Sequence, residues 1–167
     1  MNENDMQKIF IESYEAHSDA IFRYCYFKTS DRELALDLTQ ETFTKTWHYM
    51  SSENEIENIR AFLYRVAGNL VIDYHRKKKP TSLDILQEEG FDLATNEHEN
   101  QFRTLLGEEI MAGLTKLDGI YKEILTLRFV EDLSIEEIEK ITGLSQNNIS
   151  VRIHRALEKL KEIMNKN

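Results

Sequence analysis

Residues 131–160 constrain this chain more than any other stretch, because their punctuation suits two helices joined by a tight turn and little else. Ser134 stands where a helix needs an N-cap, and Glu137, three residues on, holds the reciprocal capping-box position. Ile135, Ile138 and Ile141 share one face of the short helix that follows. It breaks at Thr142 and Gly143, where glycine closes a helix in the left-handed region without a Cβ clash. A second helix is predicted to start at Ser145. Ile149, Ile153, Ala156, Leu157 and Leu160 follow its apolar period, which leaves Gln146, Asn147, Asn148, Arg152 and Arg155 for the surface. This is the layout of a helix-turn-helix, whose second helix fits a major groove. An ordinary helical hairpin with a solvated face has the same pattern, so the motif alone leaves both readings open.

A length of 167 residues suits one medium domain or two small ones, and two hydrophobic clusters separated by a polar segment favour two. The formal net charge of -9 argues against a freestanding, non-specific DNA binder, since phosphate attraction supplies much of that affinity. Its distribution says more: residues 60–79 hold six Arg or Lys against one Asp, and residues 84–109 hold eight acids against one Arg. A basic helix end is thus followed by an acidic connector. Such an arrangement implies DNA binding that is weak without a second protein, or a connector that lies against a basic partner surface. The single cysteine, Cys25, excludes an intrachain disulfide and a cysteine-rich zinc cluster, and reads as a small core residue. With no signal-peptide pattern and no apolar run of about 18 residues, a soluble cytoplasmic protein without membrane insertion is expected.

Along the chain, residues 5–28 give a first helix with Phe10, Tyr14, His17, Ile21, Tyr24 and Cys25 on its apolar stripe, His17 being structural or half-exposed. Ser30 and Glu33 offer a second capping box, before a helix carrying Leu34, Ala35, Leu38, Thr42, Phe43 and Trp47. Asp37, Gln40, Glu41 and Thr44 lie beside that seam, either as a solvated face or as a docking face for a basic partner. After a polar loop over 51–57, Ile59, Phe62, Leu63, Val66, Ala67, Leu70 and Tyr74 mark a third helix. It ends in a basic run, Arg76, Lys77, Lys78 and Lys79, stopped by Pro80. A dipole-matched cap explains that run; Tyr64, Arg65, Asn69, Tyr74, His75 and Arg76 suggest instead a surface that meets phosphate and stacks bases. Residues 81–96 read as a linker. Helices over 97–114 and 120–129 follow, with Leu106, Ile110, Leu114, Ile124, Leu125 and Leu127 to Phe129 as the scaffold for the helical hairpin. The fold class is all-α, with no strand alternation and no internal repeat.

Taken together, the motifs resemble the sigma-70 family, in its small extracytoplasmic-function (ECF) class, which carries only the second and fourth conserved sigma regions. Asp37, Leu38, Thr39, Gln40, Glu41, Thr42 and Phe43, followed by Trp47, resemble the core-polymerase segment of region two. The run from Ala61 through Asn69 and Asp73 to Arg76 resembles the promoter-melting segment. Leu127, Arg128 and Phe129, then Leu133 to Ile138, resemble region four, and Val151, Arg152, Ile153, His154, Arg155 and Ala156 fit its recognition helix. The resemblance implies a region 2-like domain over 1–80, a linker over 81–98 and a region 4-like domain over 99–167. It also implies an alternative sigma factor that binds core RNA polymerase, through the beta-prime clamp helices and the beta flap, and directs promoter recognition and opening. No catalysis, cofactor or metal is implied. The expected partners are core polymerase, promoter DNA and an anti-sigma factor, with a monomer outside complexes.

Residue by residue, the likeness assigns Asp37, Leu38, Gln40, Glu41 and Phe43 to the polymerase contact or its immediate support. It assigns Asn58, Tyr64, Arg65, Asn69, His75, Arg76, Lys77, Lys78 and Lys79 to the minus-ten element, and Ser145, Gln146, Asn147, Asn148, Ser150, Arg152 and Arg155 to the minus-thirty-five duplex. Several positions depart from the family pattern. Gly68 replaces a larger, often basic residue, and Glu139 replaces a small apolar one, so a rotated or loosened helix is expected there. Asn147 and Asn148 stand for a usual Gly-Thr, and Ser150 for a common Lys. Two rivals remain: a conventional helix-turn-helix regulator acting on a symmetric operator, and a sigma-like interaction module that binds polymerase without initiating.

Overall fold

The computed structural model describes residues 2–78 and 107–166, and the chain divides into two compact units. In the first, α1 (Glu3–Thr29), α2 (Arg32–Ser51) and α3 (Ile59–Lys77) each pack against the other two. In the second, α4 (Glu108–Thr115), α5 (Gly119–Leu125), a π-helical turn (Thr126–Val130), α6 (Ile135–Thr142) and α7 (Gln146–Asn165) follow in order, with α7 packed on α4, α5 and α6. Every regular element among the described residues is a helix.

The two residues between α1 and α2 divide their work. Ser30 takes the left-handed conformation (φ 53°) and its N–H bonds Tyr26 O, which closes α1. The Asp31 carboxylate then accepts the Leu34 N–H at 3.1 Å and opens α2. The expected Ser30–Glu33 capping box is therefore corrected: a residue already used as a C-cap lacks the extended backbone an N-cap requires. α2 turns Thr39, Thr42 and Thr46 into the core. Their hydroxyls donate to the carbonyls of Ala35, Leu38 and Thr42 at 2.6 to 2.8 Å, so no desolvated hydroxyl on this face lacks an acceptor.

Edge-to-face aromatic pairs join the helices of this unit. Phe10 meets Trp47 at 5.1 Å, Tyr14 meets Phe43 at 4.8 Å and Tyr24 meets Tyr64 at 5.2 Å. The Tyr24 hydroxyl accepts from Lys28 Nζ at 3.1 Å and lies against Gly68, where an added Cβ would come within 3.1 Å of it. Gly68, an oddity in the sequence, is the place where α3 makes room for a buried tyrosine of α1. On α1, Ser13 is buried and Tyr14 is 48% exposed, because the helix sinks one flank of the predicted stripe and leaves the other in solvent.

In the second unit Gly107, at φ 76°, is the N-cap of α4, which covers the C-terminal part of the helix predicted over 97–114; residues 97–106, Leu106 among them, lie outside the described residues. The helix predicted over 120–129 changes character. α5 ends at Leu125, and the next turn widens until the Glu131 N–H reaches Thr126 O at 3.0 Å, five residues back. This extra residue turns Leu127 and Leu133 inward and Phe129 outward, 52% exposed, which corrects the placing of Phe129 in the scaffold. Ile110 is likewise exposed rather than core. The turn motif forms as expected. Ser134 and Glu137 make both bonds of a capping box, and Gly143 closes α6 at φ 74°. Ile138 of α6 and Ile149 of α7 are both fully buried, each contributing about 1.5–3 kcal/mol. Leu157, expected on the same face, is 42% exposed because the buried seam of α7 runs through Ile149, Ala156 and Leu160.

Replacing Gly143 by Ala puts a Cβ on a left-handed residue, at a cost of about 1–2 kcal/mol. Amide hydrogen exchange is expected to show that loss of protection across α6 and α7. Unfolding of the first unit, followed by fluorescence of Trp47, the only tryptophan, is expected to stay unchanged.

Candidate nucleic-acid interface

Three polar surfaces arise from these units, and each is positioned by a buried seam behind it. On α2, Asp37, Gln40, Glu41 and Thr44 are exposed, with the Glu41 and Lys45 side chains 3.9 Å apart. Leu38 and Phe43, predicted for the same surface, are buried behind it, Phe43 with its ring against Phe10 and Tyr14 of α1. Beside this face lies a groove of about 650 Å³, lined by Gln7, Phe10, Ile11, Tyr14, Gln40, Phe43, Thr44 and Trp47. The sequence reading missed Gln7 and Ile11. A signal existed: Ile9 and Ile11 fall off the buried stripe of α1, and both are exposed.

The second surface runs along α3 from the preceding loop. Asn58 is the N-cap, its Oδ1 accepting the Ala61 N–H at 2.9 Å, so its first task is to start the helix. Arg65 and Asn69 are exposed one turn apart, and His75, Arg76, Lys77 and Lys78 are exposed at the C-terminal end. The cations in that last turn complement the negative end of the helix dipole. The Lys78 ammonium lies 5.4 Å from the Tyr74 ring centre. Lys79 and the linker over 81–98 fall outside the described residues. Tyr64 requires correction: it is 1% exposed, its ring packed on Tyr24, so it supports the surface from within. Tyr49 and Phe62 occupy the outward place instead. Their rings are 4.8 Å apart and the Arg65 guanidinium sits 5.6 Å from the Phe62 ring centre, an aromatic and cationic cluster at the α2–α3 junction. Helical period had put Phe62 in the core stripe, and nothing local singled out Tyr49.

On the third surface the N-terminal half of α7 stands clear. Gln146, Asn147, Asn148, Ser150 and Arg155 are exposed and Arg152 is half-buried. Several of these polar groups are already engaged. Ser145 caps the helix by accepting the Asn148 N–H at 3.2 Å, and the Ser150 hydroxyl donates to Gln146 O at 3.0 Å. Arg152 Nε donates to Asn148 Oδ1 at 2.8 Å, which holds the guanidinium along the helix with its Nη groups unspent on that bond. Gln146 Nε2 donates to Glu139 Oε2 at 2.9 Å across the turn. Glu139 has therefore neither rotated nor loosened α6, whose Ile138 stays fully buried; it sits on the flank and faces α7. Chemically, the surface offers amide and guanidinium donors and amide acceptors, the groups that read duplex base edges. Among the described residues, no set of three or more His, Cys, Asp or Glu side chains is arranged to hold a metal ion.

Comparison with known proteins follows the same division. The family model Sigma-70 region 2 matches residues 13–81 and Sigma-70, region 4 matches residues 107–160. The chain is 32% identical over 156 residues to RNA polymerase sigma factor YlaC of Bacillus subtilis (strain 168), covering 92% of this chain and 90% of that one. It is 30% identical over 158 residues to ECF RNA polymerase sigma factor SigM of the same strain, covering 93% and 94%. Among solved structures, the sigma factor RpoE in complex with the anti-sigma factor NepR from Bartonella quintana shares the fold with a TM-score of 0.69 at 20% identity, covering 95% of this chain and 98% of that one. CnrH in complex with the cytosolic domain of CnrY does so with 0.70 at 22% identity, covering 96% and 90%.

The two asparagines of the α3 surface separate by role. Asn58→Ala removes a cap and is expected to cost the first unit about 1 kcal/mol in urea unfolding monitored at Trp47. Asn69→Ala, at an exposed site, is expected to stay within about 0.5 kcal/mol.

Proposed function

The chain belongs to the sigma-70 family of RNA polymerase sigma factors, in its ECF class, and from that premise we propose how its three surfaces divide the work of starting transcription. The protein is an alternative sigma factor that directs transcription initiation. Asp37, Gln40 and Glu41 meet the clamp helices of core polymerase, with Leu38 and Phe43 holding that face in place, and the region 4-like domain meets the beta flap. Arg65, Asn69 and the basic end of α3 take the minus-ten element, where an unstacked base offsets the cost of opening the duplex. Asn147, Asn148, Arg152 and Arg155 take the minus-thirty-five duplex. The domains run over 1–80 and 99–167 with the acidic linker over 81–98 between them.

The observation that carries this division is the order of the surfaces along the chain. An acidic face on α2, a basic end on α3 and an amide-rich recognition helix each rest on their own buried seam, and they fall within the matched regions two and four. Charge supports the reading as well. At a net charge of -9 the chain gains from a partner that positions it, because phosphate attraction alone is opposed by its own field. The partner supplies the chemistry too: nucleotidyl transfer belongs to polymerase, and the sigma acts by binding. The complex of RpoE with NepR supports an anti-sigma factor as a further partner. Where transcription takes place is where this chain acts, in the cytoplasm, and no described helix is long and apolar enough to cross a membrane.

Transcription by purified core polymerase over a promoter library, with and without the protein, tests the reading. Start sites that depend on the protein and share two upstream elements are expected; duplex binding that needs no polymerase would favour a conventional regulator. Within that assay, Gln40→Ala with Glu41→Ala is expected to weaken core binding at least 5-fold, on the order of 1 kcal/mol. Arg152→Ala with Arg155→Ala should leave core binding intact and impair promoter use. Equal loss of core binding in both folded variants would sink the spatial division.

A further inference from the structure

The Gln146–Glu139 bond does more than join two helices, because its two partners are chemically unequal. An amide carries a donor end and an acceptor end, and it can turn over to suit its surroundings; a carboxylate only accepts. With Glu139 Oε2 at 2.9 Å from Gln146 Nε2, one sense of the Gln146 amide is bonded. The reversed sense would set a carbonyl oxygen against a carboxylate. The partner that fixes the sense is seven residues away on the preceding helix, in a position that Gly143 and the Ser145 cap hold relative to α7.

We propose that Glu139 is a positioning residue for base reading: by engaging the Nε2 hydrogen of Gln146 that points away from Oε1, it leaves Gln146 to present its Oε1 acceptor and the neighbouring Nε2 hydrogen together, a pair that matches adenine. This rests on the reading of α7 as the helix that meets the upstream duplex. In the major groove adenine offers an N6 donor beside an N7 acceptor, which an amide fixed in this sense satisfies bidentately. Guanine offers acceptors at both O6 and N7, so it needs an amide free to turn its donor end further toward the base. Cytosine supplies only a donor and thymine only an acceptor, so each leaves one end of the amide without a partner. Adenine is therefore the base selected opposite Gln146. The carboxylate has a second consequence. Held by Gln146 at the duplex-facing end of α7, it adds like charge near phosphate and lowers affinity for all sequences alike, so preference at that base pair is obtained together with weaker general attraction.

The test uses the full chain with core polymerase on a promoter library whose upstream element is randomised, with start sites counted by sequencing. Gln146→Ala first locates the base pair that Gln146 reads, as the position whose preference for adenine disappears. At that position Glu139→Ala and Glu139→Gln are expected to reduce the preference for adenine over guanine by about 5-fold or more, the alanine by freeing the amide and the glutamine by accepting either sense. Preferences at every other position should hold, and output at low-affinity promoters should rise. Equal amide-exchange protection of α6 and α7 in the variants checks that the fold is unchanged. A purely structural bond would lower stability or overall output and move no single-position preference, and that result overturns the proposal. So does an adenine preference that survives both substitutions. If Gln146→Ala changes no upstream preference, the reading of α7 as the base-contacting helix fails, and the role of Glu139 fails with it.

Discussion

Among the described residues five helices begin on the same bond, a side-chain oxygen accepting the backbone N–H three residues on: Asn2 to Asp5, Asp31 to Leu34, Asn58 to Ala61, Ser134 to Glu137 and Ser145 to Asn148. Helix ends leave backbone donors without intrahelical partners, and where two helices are joined by only two or three residues, as α1 to α2, α4 to α5 and α6 to α7 are, such ends lie close together. Where the cap falls decides where the chain may change direction. At the α1–α2 junction the left-handed Ser30 and the extended Asp31 do this in two residues. At the turn between α6 and α7, Gly143 and Ser145 do it with Leu144 between them. The surfaces proposed to meet partners lie on the helices these caps open, so their geometry inherits the rigidity of the caps.

Charge works against the function unless it is distributed. On a chain of net charge -9 the exposed cations cluster at the end of α3 and along α7, and these are the places proposed to approach nucleic acid. The acidic surface on α2 faces a different task and lies on a different helix. A sigma factor brought to its promoter by polymerase does not need strong attraction of its own, and a weakly attracted subunit discriminates better, since non-specific phosphate binding competes with base reading. Glu139 extends the same logic to a single residue by trading general attraction for orientation of one amide.

Preorganisation recurs on the recognition helix. Arg152 is held by Asn148, Ser150 returns its hydroxyl to the backbone, and Gln146 is held by Glu139. Each bond removes rotamer freedom before binding, which lowers the ordering cost at the interface. The departures from the family pattern acquire physical reasons here. Asn148 supplies a carbonyl acceptor one atom further from the backbone than a threonine hydroxyl would lie, and Gly68 leaves space for the Tyr24 hydroxyl.

Much of this was legible in the chain itself. The all-helical class, the capping box at Ser134, the close at Gly143, the start at Ser145 and the exposed amide run on α7 all follow from residues within four positions of one another, and bonds that short are written in adjacent letters. Tertiary packing decided the rest. Period alone gave Tyr64 and Tyr49 no different prospects, yet Tyr64 is buried on Tyr24 while Tyr49 stands outside with Phe62 and Arg65. The widened turn at Thr126 moved Phe129 into solvent, the groove beside Trp47 needed both α1 and α2, and Glu139 met Gln146 only because two helices cross at a particular rotation. Caps and breaks are local hydrogen bonds and were determined by sequence. Which flank of a helix is covered depends on how neighbouring helices pack, and only the folded chain contains that relation.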